Sequence, residues 1–309
     1  MHWLLIWMML FSTSDDPVPA QPSIALHVDG NPLPENRLAF VVMPGDSVTL
    51  SVQSENTGWS ATEGYPSSGA GGSFGWRAPR NHGIFHIDVS SDNAVAKYTV
   101  IVPVETCRWR TTTLNSFPVG SYGDGNNRDC IPDHFIELTS TSSGARISTH
   151  LTLGQFLCHV EGNYPQYMVL DLRLADKLEA ILRAVQEVYP QASDIHNMSG
   201  FRTPAYNALI GNETTESLHL YGQAADIWFE SWPSNNLMDD IDRNKRVDVY
   251  DGEYLIDIVR TLEVEGRVVT GGASAYRWIT SHGPFVHIDI RGSMAVWPTS
   301  RTLVSDPVI

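Results

Sequence analysis

Two histidines and an aspartate have the side-chain types and the spacing that could hold a metal ion. Residues 216–228 read ESLHLYGQAADIW and place His219 and Asp226 seven residues apart among small and apolar residues. A second histidine, His287, follows in the segment FVHIDI. Zinc accepts imidazole nitrogen and carboxylate oxygen, and a catalytic zinc needs three protein ligands and one open position. These three residues could supply the ligands.

The segment around His287 predicts a second acidic side chain beside the histidine. A strand over residues 285–291 alternates its side chains between two faces, so His287 and Asp289 would share one face. The apolar residues between them would face the core. A histidine taken alone is more often a hydrogen-bonded core residue than a ligand. The metal interpretation therefore depends on the combined pattern.

Three motifs in this part of the chain resemble those of the zinc D-alanyl-D-alanine carboxypeptidases. Their relatives include murein endopeptidases, the dipeptidases of vancomycin resistance and Hedgehog-fold proteins. The motifs are SGFRTP at 199–204, S-x-H-x-x-G-x-A-x-D at 217–226, and GPFVHIDIRG at 283–292, which follows TGGASAY at 270–276. The resemblance covers residues 151–297 and implies an α+β catalytic domain of the Hedgehog/DD-peptidase type. It is strongest to the carboxypeptidase-like branch.

The resemblance also implies roles for single residues. His219, Asp226 and His287 become the zinc ligands. Arg202, in SGFRTP, would bind a substrate carbonyl or carboxylate and stabilise the negative charge that develops during the reaction. The alternative for Arg202 is a surface salt bridge, which contributes little.

The general base has two candidates in this chain. Many members of the family carry Glu or Asp three residues before the last zinc histidine, but this chain has Pro284 there, which cannot move a proton. His282 lies five residues before His287, where the carboxypeptidase branch has a histidine. Asp289 is the second candidate, because it shares a face with His287. A histidine in a turn beside a glycine is the non-catalytic alternative for His282.

The function implied by the resemblance is zinc-dependent peptide hydrolysis. A D-Ala-D-Ala carboxypeptidase or murein endopeptidase would cut peptidoglycan stem peptides or cross-links of the cell wall through a zinc-activated water. The alternative is a non-catalytic, zinc-containing protein of the same fold that binds peptidoglycan or peptides. A peptidase that acts on ordinary peptides is a third hypothesis.

A second metal site is suggested by DIDRNKRVDVYD at residues 240–251. Calcium loops carry oxygen ligands at positions 1, 3, 5, 7, 9 and 12, which here are Asp240, Asp242, Asn244, Arg246, Asp248 and Asp251. Two features weaken the match: Lys245 replaces the usual glycine, and position 12 is the shorter aspartate. The alternative is a solvated acidic loop before a helix.

The elements that must position these residues are predicted by periodicity. Apolar residues at spacings of three and four predict a helix that ends before Pro190: Leu174, Leu178, Ile181, Leu182, Val185 and Val188. Thr203 and Pro204 resemble the N-cap and first residue of a second helix. Residues 254–262 predict a third helix, and three strands are predicted at 224–229, 267–270 and 285–290. This mixture indicates an α+β domain at 164–298.

The N-terminal half has a different pattern. Short alternating runs separated by turn residues predict an all-β sandwich domain, Ig-like, at 21–105. The glycine-rich segment SSGAGGSFGW predicts a loop or hairpin tip. A connector rich in proline, glycine and serine follows at 106–163, and residues 299–309 form a C-terminal tail. We expect the connector to pack against the domains rather than float.

Composition limits the classes of partner. The 309 residues are 42% hydrophobic, which is typical of a globular protein, and the formal net charge is −15. Nucleic acid is not expected as a partner, because phosphate binding needs a concentrated positive patch. The chain also lacks the GxxxxGK[ST], GxSxG and HExxH motifs.

The N-terminus predicts export. Residues 3–11 are apolar and are followed by small polar residues, which suits a signal peptide at 1–20 and is too short to span a bilayer. A periplasmic or secreted protein can form disulfides, and Cys107 and Cys130 flank a flexible loop where one would be useful. Cys158 has the apolar surroundings of a buried residue.

Overall fold

The structure is a computed structural model that describes residues 24–91, 94–105, 112–123, 132–160, 162, 164–212, 214–279 and 282–297. The predicted signal peptide, the C-terminal tail and the cysteines Cys107 and Cys130 lie outside these residues. Among the helices of the described part, none is both long and apolar enough to cross a membrane.

Two β-sheets make up the N-terminal part. Their strands are β1 (His27–Val28), β2 (Asn31–Pro32), β3 (Ala39–Val41), β4 (Ser47–Ser51), β5 (Thr57–Ala61), β6 (Tyr65–Ala70), β7 (Ser73–Arg77), β8 (Gly83–Ser91) and β9 (Ala94–Val102). One sheet has the order β2-β1-β4-β7-β6, and the other has the order β3-β9-β8-β5.

The side chains of these strands form a common core. In β4, Val48 and Leu50 are buried while Ser47 and Thr49 are exposed, as the alternation in the sequence predicts. They join a cluster of buried residues from both sheets that includes Trp76. The glycine-rich segment predicted as a loop or hairpin tip forms the hairpin of β6 and β7.

Short strands follow in the segment predicted as a connector. They are β10 (Val104–Glu105), β11 (Thr113–Leu114), β12 (Phe117–Pro118), β13 (His134–Leu138) and β14 (Gln166–Met168). A 3-10 turn over Leu153–Phe156 lies between the last two. The connector is packed against the rest of the protein, since Phe135, Ile147 and Leu153 are buried in its larger core.

The C-terminal part combines one sheet with helices. Its elements are α1 (Leu172–Val188), β15 (Ala192–Ser199), α2 (Pro204–Leu209), β16 (Ala224–Ser231), α3 (Val249–Val264), β17 (Gly272–Tyr276), β18 (Phe285–Asp289) and β19 (Ala295–Val296). The sheet order is β15-β16-β18-β17-β19, and all neighbours are antiparallel except β17 and β19. The chain therefore has a mixed, sheet-rich α+β architecture.

The helices begin at side-chain caps that the sequence supplies. The Asp171 side chain accepts a hydrogen bond from the backbone N–H of Arg173 at the start of α1. Thr203 caps α2 in the same way, as predicted from its position before Pro204. Asp248 and Asp251 form a capping box at the start of α3, which is longer than the helix predicted there.

The alternation of β16 and β18 separates a core face from a second face. Ile227 in β16, together with Val286 and Ile288 in β18, belongs to the buried apolar cluster. The intervening residues, including Asp226 and His287, point to the opposite face. We call this opposite face the polar face of the sheet.

One predicted strand is wrong. Residues 267–270 are not a strand, because the chain there is still closing the end of α3: the N–H of Arg267 donates to the carbonyl of Leu262. Gly266, with φ of 68°, makes this reversal. The strand begins later, at Gly272, and a further strand at Ala192–Ser199 was not predicted.

Ion pairs connect the N-terminal sheets to α1. The guanidinium of Arg37 donates to the carboxylate of Asp176 through two nitrogens, with one distance of 2.9 Å. Arg183 donates to Glu35 over 2.7 Å. Ala39, from the second N-terminal sheet, lies in the larger core cluster with α1 residues. The segment between β2 and β3 is therefore joined to α1 by ion pairs, and the two parts share one core cluster.

Candidate metal centre and active site

Three elements bring the predicted ligands together on the polar face. Asp226 in β16 pairs directly with His287 in β18. His219 lies in a 3-10 turn, Leu218–Tyr221, that leads into β16. The turn ends at Gly222, whose φ is 62°, and a Cβ there would lie 2.1 Å from the carbonyl oxygen of Val169. Only glycine fits this position, so it allows the return from His219 to Asp226.

The three ligand atoms are spaced as a zinc site requires. His219 Nε2 lies 3.2 Å from His287 Nδ1 and 3.3 Å from Asp226 Oδ1. The third edge, from His287 Nδ1 to Asp226 Oδ1, is 2.9 Å. Zinc–ligand bonds of about 2.0 Å in a tetrahedral site separate the ligand atoms by about 3.3 Å. The three atoms thus form one triangular face of such a site.

The hydrogen bonds of the other nitrogen in each imidazole ring determine which nitrogens direct lone pairs toward this centre. His219 Nδ1 donates to the carbonyl oxygen of Gly200 over 2.7 Å, which leaves Nε2 as the bare nitrogen. His287 Nε2 faces the carboxylate of Asp289 at 3.4 Å, and in the tautomer with the proton on Nε2 the Nδ1 atom presents a lone pair to the centre. The lone pairs of His219 Nε2 and His287 Nδ1 and the Oδ1 atom of Asp226 then point toward one position. This donor set fits a cation, and zinc in particular.

Burial and charge act together on the pKa values here. Burial lowers the pKa of His219 and keeps its imidazole neutral, which metal binding requires. For Asp226, burial would raise the pKa, but the two imidazoles outweigh it and hold the pKa far below its usual range. The pKa of His287 is also lowered by burial, yet the carboxylates of Asp226 and Asp289 raise it overall, so a metal would displace a proton from Nδ1 on binding.

Arg202 lies beside the three ligand atoms. Its Nε donates to Ser199 Oγ over 2.7 Å, and its Nη2 donates to Asp226 Oδ2. The Arg202 side chain is 13% exposed. The backbone N–H of Arg202 donates to the carbonyl of His219, so the motif SGFRTP is held directly against the 3-10 turn. The predicted alternative, a surface salt bridge, does not describe this buried contact.

His282 lies on the same side of the sheet, next to β18. Its ring packs edge-on against Phe285 with centroids 4.9 Å apart, and Phe285 shares a face with His287. Nδ1 of His282 donates to the carbonyl of Gly283 over 2.8 Å. Because only an N–H can donate to that oxygen, Nε2 is the nitrogen with a lone pair.

Asp289 is enclosed by hydrogen-bond donors. It is fully buried, and Oδ1 accepts from the N–H of Gly272 over 2.7 Å. Arg291 contributes its backbone N–H and its guanidinium. Burial would raise the pKa of Asp289, but His287 and these donors hold it well below its usual range. The carboxylate therefore stays ionised and orients the imidazole of His287.

The predicted calcium loop gains no support from the structure. Oxygens of Asp240, Asp242 and Asp251 lie within 4.8 Å of one another, but such acidic groups are common without an ion. Asp248 and Asp251 are engaged as the capping box of α3. Lys245 adopts a φ of 69° in place of the usual glycine, and its N–H donates to Asp240.

A buried ion pair beneath the site was not predicted. Lys177 in α1 donates from Nζ to Glu263 in α3 over 2.6 Å and to the carbonyl of Asp289 over 2.9 Å. Glu263 also accepts from the N–H of Gly271. The sequence did contain a signal, because Lys177 lies three residues after Leu174, inside the apolar stripe.

Trp297 was also missed. The centroid of its ring lies 5.2 Å from that of the His287 imidazole. The guanidinium of Arg291 lies over the Trp297 ring, 5.2 Å from its centroid. Ser274 donates to its carbonyl oxygen over 3.1 Å. Trp297 thus packs against one of the three candidate ligands.

Comparisons with known proteins agree with this geometry. Residues 149–256 match the model of the family Peptidase M15, the zinc D-Ala-D-Ala carboxypeptidase family. The match contains Arg202, His219 and Asp226 and ends before His287. Searches of curated proteins and of solved structures gave no significant match. The match confirms the predicted resemblance to this family over residues 149–256.

Proposed function

We propose that this protein is a zinc-dependent peptidase that hydrolyses peptidoglycan stem peptides or cross-links, with D,D-carboxypeptidase or endopeptidase specificity. The observation that carries the proposal is the triangle of bare ligand atoms from His219, Asp226 and His287, with edges of 2.9 to 3.3 Å. The match to Peptidase M15 supports hydrolysis of a peptide bond.

The three residues would hold zinc through His219 Nε2, Asp226 Oδ1 and His287 Nδ1. When bound, zinc supplies Lewis acidity and a strongly acidified water, which is the chemistry that amide hydrolysis needs. The surrounding contacts fix the ligands: Gly200 holds the ring of His219, and Asp289 holds the ring of His287. We therefore assign Asp289 to orienting His287.

Arg202 would bind the oxygen of the substrate that becomes negatively charged. Its Nε and Nη2 hold Ser199 and Asp226, and a guanidinium has further N–H donors for a substrate oxygen. A fixed cation in a site shielded from water stabilises developing charge by several kcal/mol.

His282 is our candidate for the general base. Its Nε2 carries the lone pair, because Nδ1 donates to Gly283. The Nε2 atom would accept a proton during attack on the carbonyl and return it to the leaving amine. Pro284 takes the position at which many relatives have a carboxylate, so no carboxylate competes for this role there.

Export and domain organisation belong to the same proposal. We propose that residues 1–20 direct the chain to the periplasm or the cell exterior, where peptidoglycan lies. The N-terminal sheets would form an all-β domain, bounded near residue 105, that positions the catalytic part on the wall. Their contacts to α1 through Arg37 and Arg183 support a fixed relative placement.

Digestion of muropeptides followed by mass analysis tests the proposed activity. Zinc-loaded protein should release alanine or cleave cross-linked muropeptides, and a chelator should abolish the activity. The products also identify which bond is cut. Muropeptides that bind the zinc-loaded protein but stay intact would instead favour a non-catalytic binding protein of the same fold.

A further inference from the structure

An arginine contacts the carboxylate that supports His287. Nε of Arg291 donates to both oxygens of Asp289, over 3.1 Å to Oδ1 and 2.9 Å to Oδ2, and Nη2 donates to Oδ2. Oδ2 of Asp289 in turn lies 3.4 Å from Nε2 of His287. These contacts form a chain from the Arg291 guanidinium to one of the three candidate zinc ligands.

The two oxygens of Asp289 have different partners. Oδ1 accepts from the backbone N–H of Gly272 over 2.7 Å and from that of Arg291 over 3.1 Å. The guanidinium also bonds to Oδ2, which is the oxygen that faces His287. The Arg291 side chain therefore fixes the part of the carboxylate that touches the imidazole.

Trp297 connects the same guanidinium to the same imidazole. The centroid of its ring lies 5.2 Å from that of His287 and 5.2 Å from the guanidinium carbon of Arg291. Its Nε1 donates to the hydroxyl of Tyr276 over 3.1 Å, and its carbonyl accepts from Ser274 over 3.1 Å. Both partners lie in β17. The Trp297 ring is thus fixed on the sheet and holds the guanidinium by a cation–π contact.

Gly272 marks the point at which the three side chains meet. A Cβ added there would lie 2.5 Å from Asp289 Oδ2, 2.9 Å from the Trp297 ring and 3.0 Å from Arg291 Nε. Any larger residue must therefore displace at least one of the three. The cluster is packed closely enough that a single methyl group would disturb it.

The same arginine–aspartate geometry occurs a second time, at the start of α1. Nε of Arg173 donates to the two oxygens of Asp171 over 3.0 and 3.1 Å, and its backbone N–H donates over 3.0 Å. There the carboxylate caps the helix, and the Arg173 side chain is 57% exposed. This pair has the same spacing in the chain and the same hydrogen bonds, so it serves as a matched control.

Arg291 has two opposing effects on a cation held by His287. Its positive charge repels the cation, while its hydrogen bonds orient Asp289 and, through it, the imidazole. The side chain is 35% exposed, so water and salt screen the repulsion. Loss of a partner that orients a metal ligand costs roughly 10- to 100-fold in metal affinity. Orientation should therefore be the larger effect.

We propose that Arg291 is a positioning residue of the candidate metal centre, which acts through Asp289 and is itself held by Trp297. The cluster directs Oδ2 of Asp289 at His287 Nε2, so that Nδ1 of the same ring faces the metal. The proposal rests on the zinc site of the proposed function. It adds a residue that is neither a ligand, nor the candidate base, nor the arginine that would bind the substrate.

Zinc titration against a competing chelator, with the full-length chain, tests the proposal. Arg291→Lys keeps the positive charge, but a single ammonium cannot hold Asp289 through two nitrogens. Its zinc affinity should be roughly 10- to 100-fold lower than that of the wild type. Arg173→Lys should bind zinc as the wild type does. Unchanged affinity in Arg291→Lys, or a higher affinity in Arg291→Met, would overturn the proposal.

Cobalt absorption separates positioning from a general loss of stability. Co²⁺ can take the place of zinc, and its visible absorption bands depend on the arrangement of its ligands. At saturating Co²⁺, Arg291→Lys should have a spectrum that differs from that of the wild type, because the His287 ring is turned. Arg173→Lys should reproduce the wild-type spectrum. An unchanged spectrum in Arg291→Lys would exclude a positioning role.

A glycine substitution disturbs the cluster without changing the arginine. Gly272→Ala should also lower the zinc affinity, since the added Cβ displaces Asp289, Trp297 or Arg291. Gly144→Ala is its control, because a Cβ at residue 144 meets no atom within 4 Å. Equal zinc affinities in these two variants would contradict the proposal, and this comparison applies even if the Arg291 variants do not fold.

Metal binding and catalysis can fail separately. A wild type that binds zinc but leaves every muropeptide intact would exclude the peptidase function, while the zinc affinities would still decide the role of Arg291. An active wild type whose zinc affinity equals that of Arg291→Lys would exclude the positioning role alone. A wild type that binds no zinc would overturn both proposals.

Discussion

Nε2 of His219 and Nδ1 of His287 lie 3.2 Å apart, and each is the ring nitrogen that is not hydrogen-bonded to its supporting oxygen. In the tautomers in which both of these nitrogens carry lone pairs, the two rings do not stabilise each other by a hydrogen bond. The carboxylate oxygen of Asp226 faces the same point. A cation explains this arrangement, because it attracts all three atoms at once.

Replacement of Asp226 by asparagine should therefore remove the metal. Wild-type protein should contain about one zinc per chain, and Asp226→Asn should contain little, since it loses the charged ligand. Zinc at roughly 100 times its dissociation constant should stabilise the wild type by about 2.7 kcal/mol. Atomic absorption and thermal unfolding with added zinc measure the two effects. Full zinc content in Asp226→Asn would argue against the site.

His282 and Asp289 should respond differently to substitution. His282→Gln should keep its zinc and lose roughly 10²- to 10⁴-fold in kcat, as expected for a general base. Asp289→Asn should instead weaken zinc binding by roughly 10- to 100-fold, because Asp289 supports the ring of His287. Zinc titration and kinetics on each variant distinguish the roles. The opposite pattern would make Asp289 the base.

Arg202→Lys should lower kcat by roughly 10²- to 10³-fold, the usual loss when one donor to a developing oxyanion is removed. Lysine keeps the charge but cannot hold Ser199 and Asp226 with two nitrogens. Arg260→Lys is a matched control, because Arg260 lies in an exposed pair with Asp257. A change confined to KM would indicate substrate binding alone.

Loss of Lys177 should destabilise the whole fold. Its ammonium and the carboxylate of Glu263 are almost fully buried, and removal of one partner leaves the other unpaired. We expect Lys177→Met to lower the free energy of unfolding by roughly 3–5 kcal/mol. Lys97→Met, which breaks an exposed pair with Asp88, should cost about 1 kcal/mol or less. Urea unfolding measures both. Equal losses in the two variants would mean that the buried pair contributes no more to stability than the exposed pair.

The stability of α3 should depend on pH through Asp251. Burial, together with the nearby Asp240 and Asp242, raises the pKa of Asp251 from 3.8 to about 6, although two backbone N–H groups oppose the shift. A raised carboxyl pKa gives a stabilising contribution that is full below 3.8 and is lost as the pH rises through about 6. The wild type should therefore gain stability from pH 7 to pH 4 relative to Asp251→Asn. Parallel pH profiles of the two proteins would contradict this.

Sequence periodicity predicted the elements that have a strong local signal. The helix containing Leu174 and Leu178 was found because its apolar stripe repeats over several turns, and α2 was found from its cap at Thr203. Strand β15 was missed because residues 192–199, ASDIHNMS, lack both alternation and β-branched residues at most positions. Its pairing with β16 stabilises it instead.

The features of the candidate site also divide into those with a local sequence signal and those without one. The three candidate ligands were predicted because they carry the motif, and the resemblance is confirmed by the family match. The pair of Lys177 and Glu263 depends on contacts between segments far apart in the chain. No local pattern encodes the distance between α1 and α3, so such contacts appear only in three dimensions.

Helix α1 also affects how the chain unfolds. It carries Asp176 toward the N-terminal sheets and Lys177 toward the candidate metal centre on adjacent positions of one backbone. Thermal unfolding of either the N-terminal sheets or the region of the candidate metal centre must disturb this helix. The sheets on its two sides should therefore melt as one cooperative unit, with a single endotherm in calorimetry instead of two.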